Sequence, residues 1–149
     1  MSARQQFCTF YLDGAAYGVE VHKVQEVLRW QQTTPVPLAP PTIGGLLNLR
    51  GQIVTAIDLR HRLAMPPRPE GCEPMNVVVR TAEGAVSLLV DEIGDVVEVG
   101  EESFELPPDT LSEIAKQMTS GVYKLKDRLL LVLRMEKAVE VSGTTLAAA

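Results

Sequence analysis

Few side chains in this sequence stand at spacings that suggest metal or acid–base chemistry. His22 and Glu26 are four residues apart, a spacing that on a helix places both on one face and is compatible with metal ligation. Two ligands do not make a site, and the simpler interpretation is a solvated helix face. The other histidine, His61, lies between Arg60 and Arg62, whose positive charges oppose a metal ion. We therefore expect no metal.

Carboxylates are plentiful, but nothing in the sequence gathers them into a pocket. Asp91, Glu92, Asp95 and the pair Glu101-Glu102 are simplest to interpret as an acidic surface rim, because acid–base catalysis needs two groups held around a substrate. The sequence has no GxSxG, P-loop, GxGxxG or HExxH motif. We predict a binding module with no cofactor rather than an enzyme. A small metal-dependent enzyme built on the two helix residues is the less favoured alternative.

Composition limits the classes of partner that this protein is expected to bind. The 149 residues carry a formal net charge of −5, which argues against nucleic acid and anionic membrane surfaces as binding targets. No apolar run approaches the roughly 18–20 residues that span a bilayer, so we predict no membrane insertion. The N-terminus lacks the apolar stretch of a secretory signal, which predicts a cytoplasmic protein. Cys8 and Cys72 belong to no CxxC pair and are expected to be free thiols.

Hydropathy alternates with a period of two over most of the chain, interrupted by Gly and Pro, which is typical of many short strands. A period change predicts a helix of about two turns from Val21 to Leu28, and a second helix is predicted over Thr110 to Gln117 with Thr110 as a cap. A closing helical turn is predicted over Met135 to Val139. The predicted strands cover residues 7–13, a return through Tyr17 and Val19, 46–49, 52–59, 75–80, 85–90, 93–99, 122–125 and 128–133.

These nine or ten short strands, with few helices, predict an all-β protein of barrels or sandwiches. A hairpin at the start of each half suggests two similar lobes. We expect one domain over residues 1–141 and a flexible tail over residues 142–149, whose residues are mostly small.

Four stretches together resemble the CheW family of chemotaxis coupling proteins. They contain a Tyr-Gly pair with a K-V-x-E segment, an N-L-R-G turn before a strand ending in D-L-R, a segment that resembles the family's V-D-x-V pattern, and a closing hairpin. They are FYLDGAAYGVEVHKVQEVL (residues 10–28), GLLNLRGQIVTAIDLRHRL (45–63), LLVDEIGDVVEV (88–99) and TSGVYKLKDRLLLVLRMEKAV (119–139). The resemblance covers about residues 7–139. Three residues depart from the family pattern. They are Ser87, where the family often has Gly, and Arg29 and Trp30, which directly follow the first stretch.

The resemblance implies a fold of two intertwined, SH3-like five-stranded β-barrels around a shared apolar core. It implies a non-enzymatic scaffold that couples the cytoplasmic tips of methyl-accepting chemotaxis receptors to the regulatory domain of the histidine kinase CheA, recruited to membrane receptor arrays. The alternative within the same fold is a paralogous adaptor of a surface-sensing or pilus-linked chemosensory pathway.

The resemblance also implies a receptor-binding groove between the lobes. Val24, Glu26 and Val27 match family positions on one side, although Val24 is also interpretable as plain core. Ile93 and Val96 match the other side. Two interpretations hold for Arg50, a hairpin residue in water or a partner of Glu26 beside the groove.

A kinase-binding surface and several structural turns complete the prediction. Phe104 and Leu106 are candidates for an apolar docking patch, with the alternative that both fold back onto the second barrel. Structural turns are assigned to Gly45, Asn48, Gly51 and Gly121, where the glycines are most simply backbone requirements.

Overall fold

The computed structural model describes residues 4–82 and 84–139, which form two β-sheets. Its short helices are α1 (Leu59–Arg62), α2 (Glu113–Met118) and α3 (Met135–Ala138), with 3-10 turns at Val21–Lys23 and Glu101–Ser103. The strands of the described residues are β1 (Gln5–Leu12), β2 (Ala15–Glu20), β3 (Val24–Leu28), β4 (Ile43–Leu49), β5 (Gln52–Asp58), β6 (Met75–Thr81), β7 (Gly84–Val90), β8 (Glu92–Val99), β9 (Phe104–Glu105), β10 (Thr119–Lys124) and β11 (Leu129–Leu133).

The chain passes from the six-stranded sheet to the five-stranded sheet and back. The six-stranded sheet has the order β8-β1-β2-β11-β10-β9, so the opening hairpin pairs with C-terminal strands, and β2 lies parallel to β11. The five-stranded sheet has the order β3-β6-β7-β5-β4 and is formed by the strands between them. The predicted all-β, two-lobed class is confirmed, with six and five strands in place of five and five.

Three apolar clusters hold this arrangement together. The largest takes fully buried side chains from both sheets, including Phe10 and Leu12 from β1 and Ile57 and Leu88 from β5 and β7. A second cluster, around Leu130, belongs to the six-stranded sheet, and a third belongs to the five-stranded sheet. Strands that bury side chains on both faces explain why the sequence carries near-continuous apolar runs such as 129–133.

Two hairpins close with the same turn chemistry. Asp13 and Gly14 have φ of 49° and 83°, and Arg50 and Gly51 have φ of 52° and 86°. Two consecutive positive φ values define the type I′ turn, whose twist matches that of the flanking strands. The Asn48 Oδ1 atom accepts a hydrogen bond of 2.9 Å from the Gly51 amide and supports the second turn.

The predicted helix over Val21 to Leu28 is wrong. Only Val21–Lys23 forms a 3-10 turn, and the rest is strand β3, which pairs antiparallel with β6 through Val24↔Val79 and Val27↔Val77. The valine spacing also suits a strand interrupted by a register shift, and β-branched residues favour strands when a partner is available. His22 and Glu26 therefore do not share a helix face, which removes the geometric basis of the metal-site alternative.

The predicted helix over Thr110 to Gln117 begins too early. Helix α2 runs over Glu113–Met118, and Ser112, not Thr110, is its N-cap, with its Oγ accepting a hydrogen bond of 3.2 Å from the Ala115 amide. Both hydroxyl residues are good caps, so the sequence alone could not choose between them. Helix α1, the 3-10 turn at Glu101–Ser103 and the two-residue strand β9 were not predicted. The expected tail, residues 142–149, lies outside the described residues.

Leu38 occupies a turn position that suits glycine or asparagine. The Ala39 amide donates a hydrogen bond of 3.2 Å to the Val36 carbonyl, which closes a turn with Pro37 second and Leu38 third. Leu38 has φ of 64°, as a type II turn requires at its third residue, and its side chain is fully exposed. A leucine in this conformation is strained, with no burial to offset the strain.

We expect Leu38→Asn to raise the free energy of unfolding by about 0.5–1 kcal/mol, because asparagine tolerates the left-handed region. Urea denaturation would measure the difference. Leu106→Asn is the matched control, since Leu106 is also exposed but does not have a positive φ. Equal effects of the two substitutions would show that backbone strain is not the cause.

Candidate functional site

Strand β3 presents three of the predicted site residues at the edge of the five-stranded sheet. Side chains alternate along it, so that Val24 and Glu26 are half-buried while Val27 is exposed. Val24 packs against the cluster shared by the two sheets and lies at the margin of the core. Trp30, two residues past the strand, is also exposed.

Arg50 and Glu26 form a bidentate ion pair. The guanidinium Nη1 and Nη2 atoms donate hydrogen bonds of 2.6 and 2.8 Å to the two carboxylate oxygens of Glu26. The Glu26 side chain is 17% exposed and that of Arg50 is 74% exposed, so the guanidinium keeps a face toward water. The hydrogen bonds from Arg50 lower the pKa of Glu26, and the same bonds raise the pKa of Arg50.

This ion pair joins parts of the sheet that its hydrogen-bonding order sets apart. Strand β3 is at one edge of the order β3-β6-β7-β5-β4, and Arg50 is in the turn between the last two strands. An ion pair across these ends requires the sheet to curl until they meet. Ile53 lies beside Arg50, paired with Asn48, and its side chain is exposed, which adds an apolar group that the sequence analysis missed.

Ile93 and Val96 lie on β8, an edge strand of the six-stranded sheet. Ile93 is half-buried against the same shared cluster as Val24, and Val96 is exposed. The chain enters β3 and β8 directly after crossing between the sheets, through Val21–Lys23 in one case and through Asp91 alone in the other. Both predicted halves of the groove therefore start where the sheets are joined.

Phe104 and Leu106 lie at the other edge of the six-stranded sheet, on β9 and just beyond it. The Phe104 ring packs edge-on against Tyr123, with centroids 5.6 Å apart, yet remains 50% exposed, and Leu106 is 80% exposed. Phe104 thus folds back in part and Leu106 does not. Across the sheet, four strands separate this edge from β8.

The four residues assigned to structural turns divide into two pairs. Gly51 and Asn48 build the turn that presents Arg50. Gly45 and Gly121 instead lie inside β4 and β10, at register shifts of their pairing. Gly45 has φ of 132°, and an added Cβ would stand 2.8 Å from the Cβ of Thr33, so only glycine fits there.

Among residues 4–82 and 84–139 no cluster of three or more His, Cys, Asp or Glu side chains is placed to hold a metal ion. Within the same residues no helix is long and apolar enough to cross a membrane. Cys8 and Cys72 are free thiols.

The chain is similar along most of its length to proteins of one kind. A family model described as a CheW-like domain matches residues 6–142. The chemotaxis protein CheW of Bacillus subtilis is 30% identical over 129 residues, covering 87% of this chain and 83% of that protein. The chemotaxis protein CheW of Klebsiella aerogenes is 31% identical, covering 89% and 80%. The crystal structure of the scaffolding protein TtCheW from Thermoanaerobacter tengcongensis superposes with a TM-score of 0.83 at 27% identity, covering 95% of this chain and 97% of that chain.

Proposed function

The chain belongs to the CheW-like domain family, a family of non-enzymatic chemotaxis scaffolds, and from that premise we propose that it couples chemoreceptors to a histidine kinase. In this proposal the receptor contributes the α-helical hairpin at its cytoplasmic tip, and the kinase, CheA, contributes its regulatory domain. The protein works in the cytoplasm and is recruited to receptor arrays at the membrane through these contacts.

One observation carries the proposal of a bridge. The surface containing Val96 and the surface containing Phe104 and Leu106 are formed on different edge strands of one sheet, β8 and β9, which residues 100–103 connect along the chain. Two partners bound there do not compete for the same residues. A scaffold that holds both partners raises their effective concentration and transmits the state of one to the other as a coupling free energy.

The receptor-binding surface that we propose combines apolar anchors with a polar rim, as recognition of an amphipathic helix requires. Val24, Val27, Ile93 and Val96 are the anchors. Arg50 is the rim residue, because its fork holds Glu26 and still has N–H groups toward water.

The backbone at Arg50 supports this role. Asparagine or glycine would occupy the left-handed conformation of this turn at lower cost than arginine. The guanidinium that this turn presents pairs with Glu26, so the conformational cost at Arg50 accompanies a specific side-chain contact.

Co-sedimentation tests the proposal as a whole. Membranes bearing a chemoreceptor are mixed with the kinase, with or without this protein, and the kinase that pellets is quantified. We expect the kinase to pellet in amounts that rise with added protein. Kinase recovery that does not depend on the protein would reject the bridging role.

We expect Phe104→Ser to leave receptor binding within about two-fold of wild type and to reduce kinase activation several-fold, because loss of a large apolar anchor weakens a docking patch. The measurement is the rate of kinase autophosphorylation in the reconstituted mixture. Leu38→Ser is the matched control, since Leu38 is an exposed apolar residue outside both surfaces. An unchanged rate for Phe104→Ser would remove this edge from the kinase contact.

A further inference from the structure

Asp91 is the single residue between β7 of the five-stranded sheet and β8 of the six-stranded sheet. Its carboxylate accepts four hydrogen bonds. Oδ1 accepts from Arg60 Nε and Arg68 Nε, both at 2.9 Å, and Oδ2 accepts from Arg60 Nη2 at 2.6 Å and the Asp13 amide at 2.8 Å. Every acceptor position of the carboxylate is used.

These donors come from three separate segments. Arg60 is on α1, directly after β5 of the five-stranded sheet, and Asp13 is in the turn between β1 and β2 of the six-stranded sheet. Arg68 comes from the loop between α1 and β6, and its Nη2 atom also lies 3.7 Å from Asp58 Oδ1. The Asp91 cluster, which we define as Asp91, Arg60 and Arg68, therefore ties both sheets and this loop together at one crossover.

The cluster is largely shielded from water. The side chains of Arg60, Arg68 and Asp91 are 9%, 11% and 17% exposed. Burial by itself raises the pKa of Asp91, but hydrogen bonds from Arg60, the Asp13 amide and Arg68 outweigh it and lower the pKa from 3.8 to about 2. The ionised carboxylate is thus the form that the fold selects at neutral pH.

Two sequence motifs that contribute no residue to the proposed binding surfaces meet in this cluster. Asp58-Leu59-Arg60 belongs to the second resembling stretch, and Val90-Asp91 belongs to the third. Arg60 also donates to the Pro66 carbonyl at 3.0 Å, and Asp58 accepts from the Arg60 amide at 3.1 Å. The motif side chains therefore join elements of the fold to one another.

We propose that the Asp91 cluster is a positioning device: it fixes the relation between the two sheets, and thereby holds β8 and β3 in the arrangement that one helical partner can engage together. The proposal rests on the proposed receptor-binding function. Ile93 and Val96 follow Asp91 by two and five residues, so a displaced crossover would displace both anchors. Asp91, Arg60 and Arg68 are largely buried, so in this proposal they act as positioning residues.

The test compares Asp91→Asn and Arg68→Gln with Arg4→Gln. Arg4 is the matched control because it donates hydrogen bonds of 2.8 and 2.9 Å to Glu98, at the far end of β8, and to Glu102, but is exposed and remote from the crossover. Arg68→Gln keeps the test valid where Asp91→Asn does not fold, since it removes one donor and leaves Arg60 paired.

Two measurements are made on folded protein. Spin labels at Arg29→Cys, just past β3, and Asp95→Cys, on β8, in a Cys8→Ala/Cys72→Ser background report the distance between the strands. Affinity is measured separately for the receptor tip and for the kinase regulatory domain. A merely stabilising role would reduce both affinities in proportion to the unfolded fraction.

We expect the cluster variants to broaden or shift the distance distribution and to weaken receptor binding about ten-fold or more, with kinase binding unchanged, because only the receptor needs both strands at once. Arg4→Gln should change none of these. An unchanged distance distribution with receptor affinity like wild type would overturn the inference. Failure of the wild-type protein to bind the receptor would instead reject the proposed function, and the distance measurement would still decide the structural part.

Discussion

Phe10→Ala is expected to lower the free energy of unfolding by about 3–5 kcal/mol while the protein still unfolds in one transition. Phe10 is fully buried in the cluster shared by both sheets, and its ring stacks on Tyr17 with centroids 6.3 Å apart. Removing the ring leaves a cavity between the sheets. The loss should therefore destabilise the five-stranded sheet as much as the six-stranded sheet that contains Phe10.

Trp30 makes this measurable, because it is the single tryptophan and follows β3 of the five-stranded sheet. Urea unfolding is recorded by Trp30 fluorescence and by far-ultraviolet circular dichroism on the same sample. Leu47→Ala, in the cluster internal to the five-stranded sheet, is the control that must shift the Trp30 signal. A Trp30 midpoint unchanged by Phe10→Ala would show that the sheets unfold independently.

Arg50→Glu is expected to weaken binding of the receptor tip about ten-fold or more and to leave the unfolding midpoint nearly unchanged. The guanidinium is exposed, so its pair with Glu26 adds little to stability. A second carboxylate next to Glu26 would instead give the rim a negative charge and remove the donors that face the partner. Isothermal titration with a receptor-tip fragment measures the affinity.

The exchanged variant Glu26→Arg/Arg50→Glu separates two explanations of that loss. It restores an ion pair between the same two positions but reverses which end carries the donors. We expect binding to stay weak, since the guanidinium itself contacts the receptor in our proposal. Recovery of wild-type affinity would mean that the pair only shapes the sheet. Arg128→Glu, in a turn of the other sheet, controls for the change in net charge.

Local turn chemistry was predictable from the sequence. Asp13-Gly14 and Arg50-Gly51 interrupt alternating segments, and both form tight hairpin turns. Such turns depend on neighbouring residues alone, so a single sequence contains the information.

Elements that depend on a distant partner were harder to predict. The valines of β3 fit a helical period, and only pairing with β6, about fifty residues later, selects the strand. Helix α2 was misplaced at its start because two hydroxyl residues compete as caps.

The candidate site likewise contains one contact that was suggested beforehand and others that were not. Family resemblance suggested that Arg50 pairs with Glu26, and the structure brings these side chains together. The sequence analysis placed Asp91 in an acidic surface rim, which is wrong: its side chain is largely buried against Arg60 and Arg68, which are 31 and 23 residues away in sequence. A residue's role in joining sheets cannot be predicted without knowing which segments meet.

Mixing two variants tests the central claim, that one molecule holds receptor and kinase at once. Arg50→Glu and Phe104→Ser are added separately and together to receptor-bearing membranes with kinase, and kinase in the pellet is measured against wild type. Neither variant carries both intact surfaces, so we expect the mixture to recruit as little kinase as either variant alone. Recovery to the wild-type amount with the mixture would contradict a bridge built from both edges of one sheet.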